Sequence, residues 1–189
     1  EPALRSHILA TIATGYARNN DELMAFIDKS FFAHQVDVWT IEGMIDNILT
    51  FLEDSGLIIN DHNEFQATMF GKRTSDLYID PLSAVMMKGA IDRSETKRTD
   101  ELAVLHVCCS TPDVYQLYLR KNDMEWVPAL ATEHLDCFLL DVPDESTEEY
   151  INFLSALKTA SLLQQWISET PENEIDDRFG VGPGDVRNR

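Results

Sequence analysis

Positive charge is scarce in this sequence. Its 189 residues carry 15 Lys and Arg against 33 Asp and Glu, a formal net charge of -18 at pH 7. Such an excess opposes attachment to phosphate over the whole surface, so any contact with nucleic acid has to come from a local strip of cations. Cysteine is scarce too: Cys108, Cys109 and Cys137 make up no disulfide framework, and free buried thiols are expected. Apolar runs such as AVLHVCC and CFLLDV are far too short to span a bilayer, and no signal-peptide pattern opens the chain. A cytoplasmic protein without a membrane partner is predicted.

Several chemical motifs are missing as well. No G-x-x-x-x-G-K-[ST] loop occurs, and GVGPGD lacks both the spacing and the lysine that cradle phosphates, so the chain by itself is expected to hold no cofactor and to hydrolyse no ATP. His134 with Cys137, and His106 with Cys108 and Cys109, have ligand-like spacings, but the second pair of a four-ligand zinc site is missing from each. No metal site is expected. Ser110 and Ser155 lie outside any G-x-S-x-G frame, and no catalytic residue is assigned. A helical hydrolase assembled from distant residues stays open as a third reading.

What is present is helix. With 44% hydrophobic residues and three Trp the chain can bury a core, and its length suits one ordinary domain or two small ones. PALRSHILATIATGYARN spaces Leu4, Ile8, Leu9, Ile12 and Tyr16 helically after Pro2. NDELMAFIDKSFF offers Asn20 or Asp21 as a cap, and a third helix from Thr40 carries a stripe of Ile41, Met44, Ile45, Ile48, Leu49 and Leu52 as far as Gly56. The period then changes to two, and LIIND and EFQATMFG read as strands joined by Asp61, His62 and Asn63. Three helices and a hairpin are the order of a winged helix, placed at 1-79. Residues 80-189 read as part of a helical bundle, with helices in PLSAVMMKGAID (begun by Pro81), DELAVLHVCCS, PDVYQLYLR, NDMEWVPALATEHL and TEEYINFLSALKTASLLQQWISE. DVPDES and TPENE read as connectors, and Tyr78 and Trp166 as core aromatics. The fold class is therefore mainly α with a small β-hairpin.

A winged helix that reads duplex DNA brings basic or amide side chains into the major groove on its third helix. Here that helix carries Glu42, Asp46, Glu53 and Asp54, no Lys or Arg, and one amide, Asn47. Phosphates would repel it, which favours a packing or protein-contact module. Lys72 and Arg73, read as part of the wing, and the pair Arg120 and Lys121 are the nearest cations to consider. The chain opens on Glu1 rather than Met and closes on GPGDVRNR, a helix start with almost no helix after it, so a segment of a longer polypeptide is expected.

Several stretches together resemble one family. ATMFGKRTSDLYIDPLSA (67-84) resembles the passage of archaeal Ski-two-type DNA helicases in which a T-x-x-G-x-x-x-S-x-LYIDP pattern joins the winged helix to the ratchet domain. LHVCCSTPDV (105-114) is similar to their LH-x-x-C-x-TPD segment, and LRKND, LKTASLLQQWISE and FGVGPGDVRN come after it in the family's order. The opening to Arg18 is similar to the family's LR-x-H-x-L and GYA. These enzymes are homologues of the helicase part of DNA polymerase theta, built from two RecA-like motor domains, a winged helix, a seven-helix ratchet domain and a helix-hairpin-helix end. The resemblance implies a winged helix that packs rather than reads, and about the first half of a ratchet, from an enzyme that translocates 3′ to 5′ and unwinds stalled or branched forks. ATP and Mg2+ would sit in the motor domains of the same polypeptide, single-stranded and forked DNA would be the partners, and a monomer is expected. The family's DNA-gripping ratchet helix comes directly after the GPGD turn. Arg187 falls on an arginine common in the family, Asn188 where some members place a second, DNA-touching arginine, and Arg189 stands about 100° further round. With Lys72 and Arg73 these are the candidate nucleic-acid-binding residues. The alternative reading is a stand-alone acidic winged-helix protein that contacts other proteins or regulates transcription.

Overall fold

The computed structural model describes residues 2-30 and 38-182, with the side chains of 38 and 39 left aside. The chain divides into two compact units, Glu1–Val85 and Met86–Arg189. Among the described residues no helix is long and apolar enough to cross a membrane.

The first unit begins with α1 (Pro2–Ala13), α2 (Asn20–Ile27) and α3 (Val38–Asp54). Asn19 caps α2 by accepting the Glu22 N–H, one residue ahead of the expected cap. Along α3 the stripe Ile41, Ile45, Ile48 and Leu52 is buried, and joins Ile8, Leu9 and Ile12 of α1 and Leu23 and Ile27 of α2 in one core. β1 (Ile58–Asp61) and β2 (Glu64–Ala67) pair antiparallel from Ile58 opposite Ala67 to Asp61 opposite Glu64. The two turn residues His62 and Asn63 both take positive φ, 51 and 66, as a tight two-residue hairpin requires. This is a winged helix, as expected.

The end of EFQATMFG is not strand. Thr68 turns the chain into α4 (Met69–Asp76) by accepting the Gly71 N–H, while its own hydroxyl donates to the Gly56 carbonyl. Local capping overrides the period of two there. At Gly71 the helix lies so close to the hairpin that a Cβ would stand 2.0 Å from the Leu57 carbonyl oxygen. Tyr78, expected in the core, is 95% exposed and left-handed with φ 56, because the chain must reverse between α4 and the Asp80-Pro81 start of α5 (Pro81–Ser94). Asp80, almost wholly buried, accepts two hydrogen bonds from Arg5 at 2.9 Å and one from the Leu82 N–H.

The second unit is built round α8 (Glu148–Ile167), whose middle from Phe153 to Leu162 is buried on almost every side. α8 lies inside although its buried run holds Lys158, Thr159 and Ser161 among the apolar residues, and α6 (Glu101–Cys109), α7 (Asp123–Glu133) and α9 (Glu172–Phe179) pack against it. Two expectations fail here. PDVYQLYLR is no helix: residues 115-120 run without regular structure, with Leu117 and Leu119 buried and Tyr118 and Arg120 turned out, the alternation of an extended chain. PENEIDDRF, read partly as connector, forms α9, anchored by Ile175 and Phe179 and ended by Gly180 at φ 64.

Candidate nucleic-acid interface

The candidate cations Lys72 and Arg73 stand on α4, not on the wing. Thr68 and Gly71 start that helix against the hairpin, and both side chains are exposed. Arg73 lies in the last turn, where the helix dipole favours a cation. As neighbours on a helix the two point about 100° apart, so they do not share one surface. Lys72 lines a cavity of about 460 Å³ between the end of α1, the hairpin and α4. Arg18 lines it too, and so do Asp61 and Glu64, which leaves its charge balanced. Sequence reasoning missed Arg18; its backbone pins the hairpin, since its carbonyl accepts the Phe65 N–H at 2.6 Å. No local pattern connects Arg18 with Lys72, and only the fold brings them together.

The outward face of α3 presents Glu42, Asp46 and Asn47, with the apolar stripe turned in. That is the surface a duplex reader would lay in a groove, and it carries no cation.

In the second unit the basic residues are mostly committed to the protein. Lys158 is 1% exposed and Asp123 3%; the ammonium donates to Asp123 Oδ2 at 2.6 Å and to the Tyr118 carbonyl at 2.9 Å. Burial pushes the Asp123 carboxyl up, but hydrogen bonds from Lys158 and the Arg120 N–H, with the charges of both side chains, hold it below its ordinary value. Arg120 donates to the Phe179 carbonyl and lies 3.7 Å from Asp123, so it ties the end of α9 to the start of α7. Lys121 beside it is exposed. Arg178 lies 4.4 Å over the Trp126 ring. Arg93 and Lys97 donate to the carbonyls of Leu139 and Phe138.

The histidines and cysteines flagged by spacing are parts of the framework. His106 is fully buried, with Nε2 3.2 Å from the Phe153 carbonyl and its ring against Phe138 and Phe153; burial lowers its pKa to about 4. His134 Nδ1 meets Asp100 Oδ2 at 2.6 Å, while the other oxygen of Asp100 caps α6 through the Ala103 N–H. Burial pushes the Cys109 thiol up to about 12, far from a reactive thiolate. Among the described residues no group of three or more His, Cys, Asp or Glu could hold a metal ion. Arg187, Asn188 and Arg189 lie outside the described residues.

Residues 102-189 match the family described as archaeal helicase, domain 4. The whole chain is 43% identical to part of the ATP-dependent DNA helicase Hel308 of Methanocella arvoryzae. Hel308 of Pyrococcus horikoshii is 38% identical over 98% of the chain, and that of Thermococcus kodakarensis 35% identical over 98%. The chain is thus similar along its whole length to archaeal ATP-dependent DNA helicases. It spans 26%, 26% and 17% of those three relatives, so it corresponds to a segment of them.

Set against the helicase family, the candidates separate. Arg187, Asn188 and Arg189 fall within the matched domain, as do the buried Lys158–Asp123 pair and the extended stretch 115-120; Lys72 and Arg73 precede it. The stretches that carry the likeness are largely internal ties. Arg5 of the opening LRSH meets Asp80 of LYIDP, and His106 of LHVCC hydrogen-bonds α8.

Proposed function

We propose that this chain is the winged-helix and ratchet portion, 1-79 and 80-189, of an ATP-dependent DNA helicase that moves 3′ to 5′ along one strand and acts at stalled or branched forks. The observation that carries the reading is the likeness along the whole chain to proteins named ATP-dependent DNA helicase, at up to 43% identity. ATP and Mg2+ belong to motor domains of the same polypeptide, a reading supported by the missing phosphate loop in this sequence. No step of nucleotide hydrolysis is therefore assigned to this chain's residues.

In this reading the winged helix is a packing module. Its acidic third helix and buried Arg5–Asp80 pair support that role better than groove reading. The ratchet contacts the unwound strand through Arg187, Asn188 and Arg189, with Lys72 and Arg73 as auxiliary cations. Contacts of this kind use backbone charge and tolerate any base sequence, as a translocating enzyme requires. The protein acts as a cytoplasmic monomer.

Strand displacement by the polypeptide that contains this chain tests the proposal. A duplex with a 3′ single-stranded tail is expected to be opened when ATP is supplied, and one with only a 5′ tail is not. Absence of ATP-dependent opening on the 3′-tailed substrate would refute the reading.

A further inference from the structure

The chain where α9 ends is held by more than apolar packing. Phe179, the last residue of that helix, is buried and meets the Trp126 ring edge-on at 5.9 Å, and Arg178 lies 4.4 Å over the same ring. Gly180 follows in the left-handed region at φ 64 and donates its N–H to the Asp176 carbonyl at 2.7 Å. Arg120 lies across this turn: its guanidinium donates to the Phe179 carbonyl and fills the space that a Cβ at Gly180 would need. Val181 then packs against the cluster of Leu117, Leu162, Ile175 and Phe179.

Arg120 is itself aimed from the core. Its backbone N–H donates to Asp123 Oδ2 at 2.7 Å, and its Nε lies 3.7 Å from the same oxygen, which also accepts the Lys158 ammonium at 2.6 Å. One carboxylate oxygen thus joins the central helix α8, the start of α7 and the side chain that holds the end of α9. Burying Lys158 with Asp123 costs desolvation that two apolar side chains would avoid, and an apolar pair could not orient a guanidinium. A planar guanidinium loses less freedom for each hydrogen bond it makes than an ammonium does, which suits it to clamp a main-chain carbonyl.

We propose that Arg120 is a positioning residue for the strand contact: by clamping the turn at Phe179 and Gly180 it fixes the point from which the chain runs on to Arg187, Asn188 and Arg189. The inference rests on the single-strand contact proposed above. The side chain of Arg120 is 49% exposed, so the rival role is direct contact of its own charge with a phosphate. The two roles part at Gly180, because alanine there displaces the guanidinium from the turn and leaves its charge in the protein.

The test is fluorescence anisotropy of the polypeptide that contains this chain with a labelled single strand, with ATP turnover at saturating strand measured in the same samples. Arg120→Ala and Gly180→Ala are each expected to weaken strand binding about tenfold and to leave the saturated turnover within about twofold, because the contact is misplaced and the motor is not. The double variant is expected to bind no worse than either single one, since both act through one clamp. Arg120→Lys, which keeps a donor for the carbonyl and a charge beside Asp123, is expected to recover most of the affinity. Lys158 stays with Asp123 in all of these variants, so their melting temperatures are expected to match the parent's. A variant that lost saturated turnover together with melting temperature would mark Arg120 as a structural tie only and overturn the positioning role. Weakened binding by Arg120→Ala with Gly180→Ala at the parent value would place Arg120 on the strand itself and overturn it too. If both bind like the parent while Arg187→Ala weakens binding, the clamp is refuted and the strand contact stands. If Arg187→Ala and Arg189→Ala also bind like the parent, both fall.

Discussion

Lys158 occupies a position where a leucine would pack, and the second unit depends on its one carboxylate partner. Lys158→Ala takes the ammonium from the buried Asp123, which keeps only the Arg120 N–H and a guanidinium 3.7 Å away, so it should cost about 3 kcal/mol in urea unfolding of that unit. The double variant Lys158→Met, Asp123→Leu should recover part of this, because it removes both desolvated charges. Acid should act in two separable windows. The pKa of His106 is lowered from 6.5 to about 4, so below 6.5 the unfolded chain takes up a proton that the folded one refuses. Stability is thus fully present above pH 6.5 and falls by up to about 3 kcal/mol towards pH 4. His106→Phe should flatten that window. Asp123 adds a second loss: its carboxyl lies below 3.8 in the fold, so its stabilisation is present above 3.8 and disappears as pH falls through the folded value. A melting-temperature series from about pH 8 to about pH 3 on both proteins would show whether the first window alone disappears. At this scale the sequence was hard to read. His106 and Cys109 look like ligands in a string of letters, and only burial reveals them as core; Lys158 looks like any surface lysine on a helix.

Helices with a wide apolar stripe or a cap were legible, and those whose partners are distant were not. α3 declared itself through Ile41, Ile45, Ile48 and Leu52, and α8 through an acidic first turn after Thr147. PDVYQLYLR has helical residues and an extended chain, because tertiary hydrogen bonds to the side chains of Lys158 and Thr159 hold its backbone open. α9 escaped notice because only Ile175 and Phe179 of its eight residues are buried. α4 depends on Gly71, where a single methyl group would meet a main-chain oxygen of the hairpin. Gly71→Ala should therefore destabilise the first unit by about 3 kcal/mol and leave the unfolding of the second unchanged, seen as separation of two transitions in calorimetry. Thr68→Ala, which removes the cap of the same helix, should cost about 1 kcal/mol.

At the scale of the whole chain the acid excess decides what kind of nucleic-acid contact is possible. Most described cations of the second unit are tied to carbonyls, rings or carboxylates, so few can meet phosphates. Binding to a single strand should accordingly show a shallow salt dependence, with a slope of log K against log salt of about -2, as expected for two or three phosphate contacts. The likeness to archaeal DNA helicases was legible from stretches of sequence, yet several of those stretches turn out to hold the fold together, as Arg5 with Asp80 does. The residues read as touching DNA lie just beyond the GPGD turn, and spacing alone cannot orient Arg187, Asn188 and Arg189. The central claim is that this acidic winged helix and ratchet grip a single strand without reading a duplex and without turning over ATP. Anisotropy of the 189-residue chain at low salt, with a labelled single strand and the matching duplex side by side and ATP turnover monitored in the same samples, tests it most directly. Weak, sequence-independent binding to the single strand with no ATP hydrolysis is the predicted result; tight, sequence-selective binding to the duplex would contradict it.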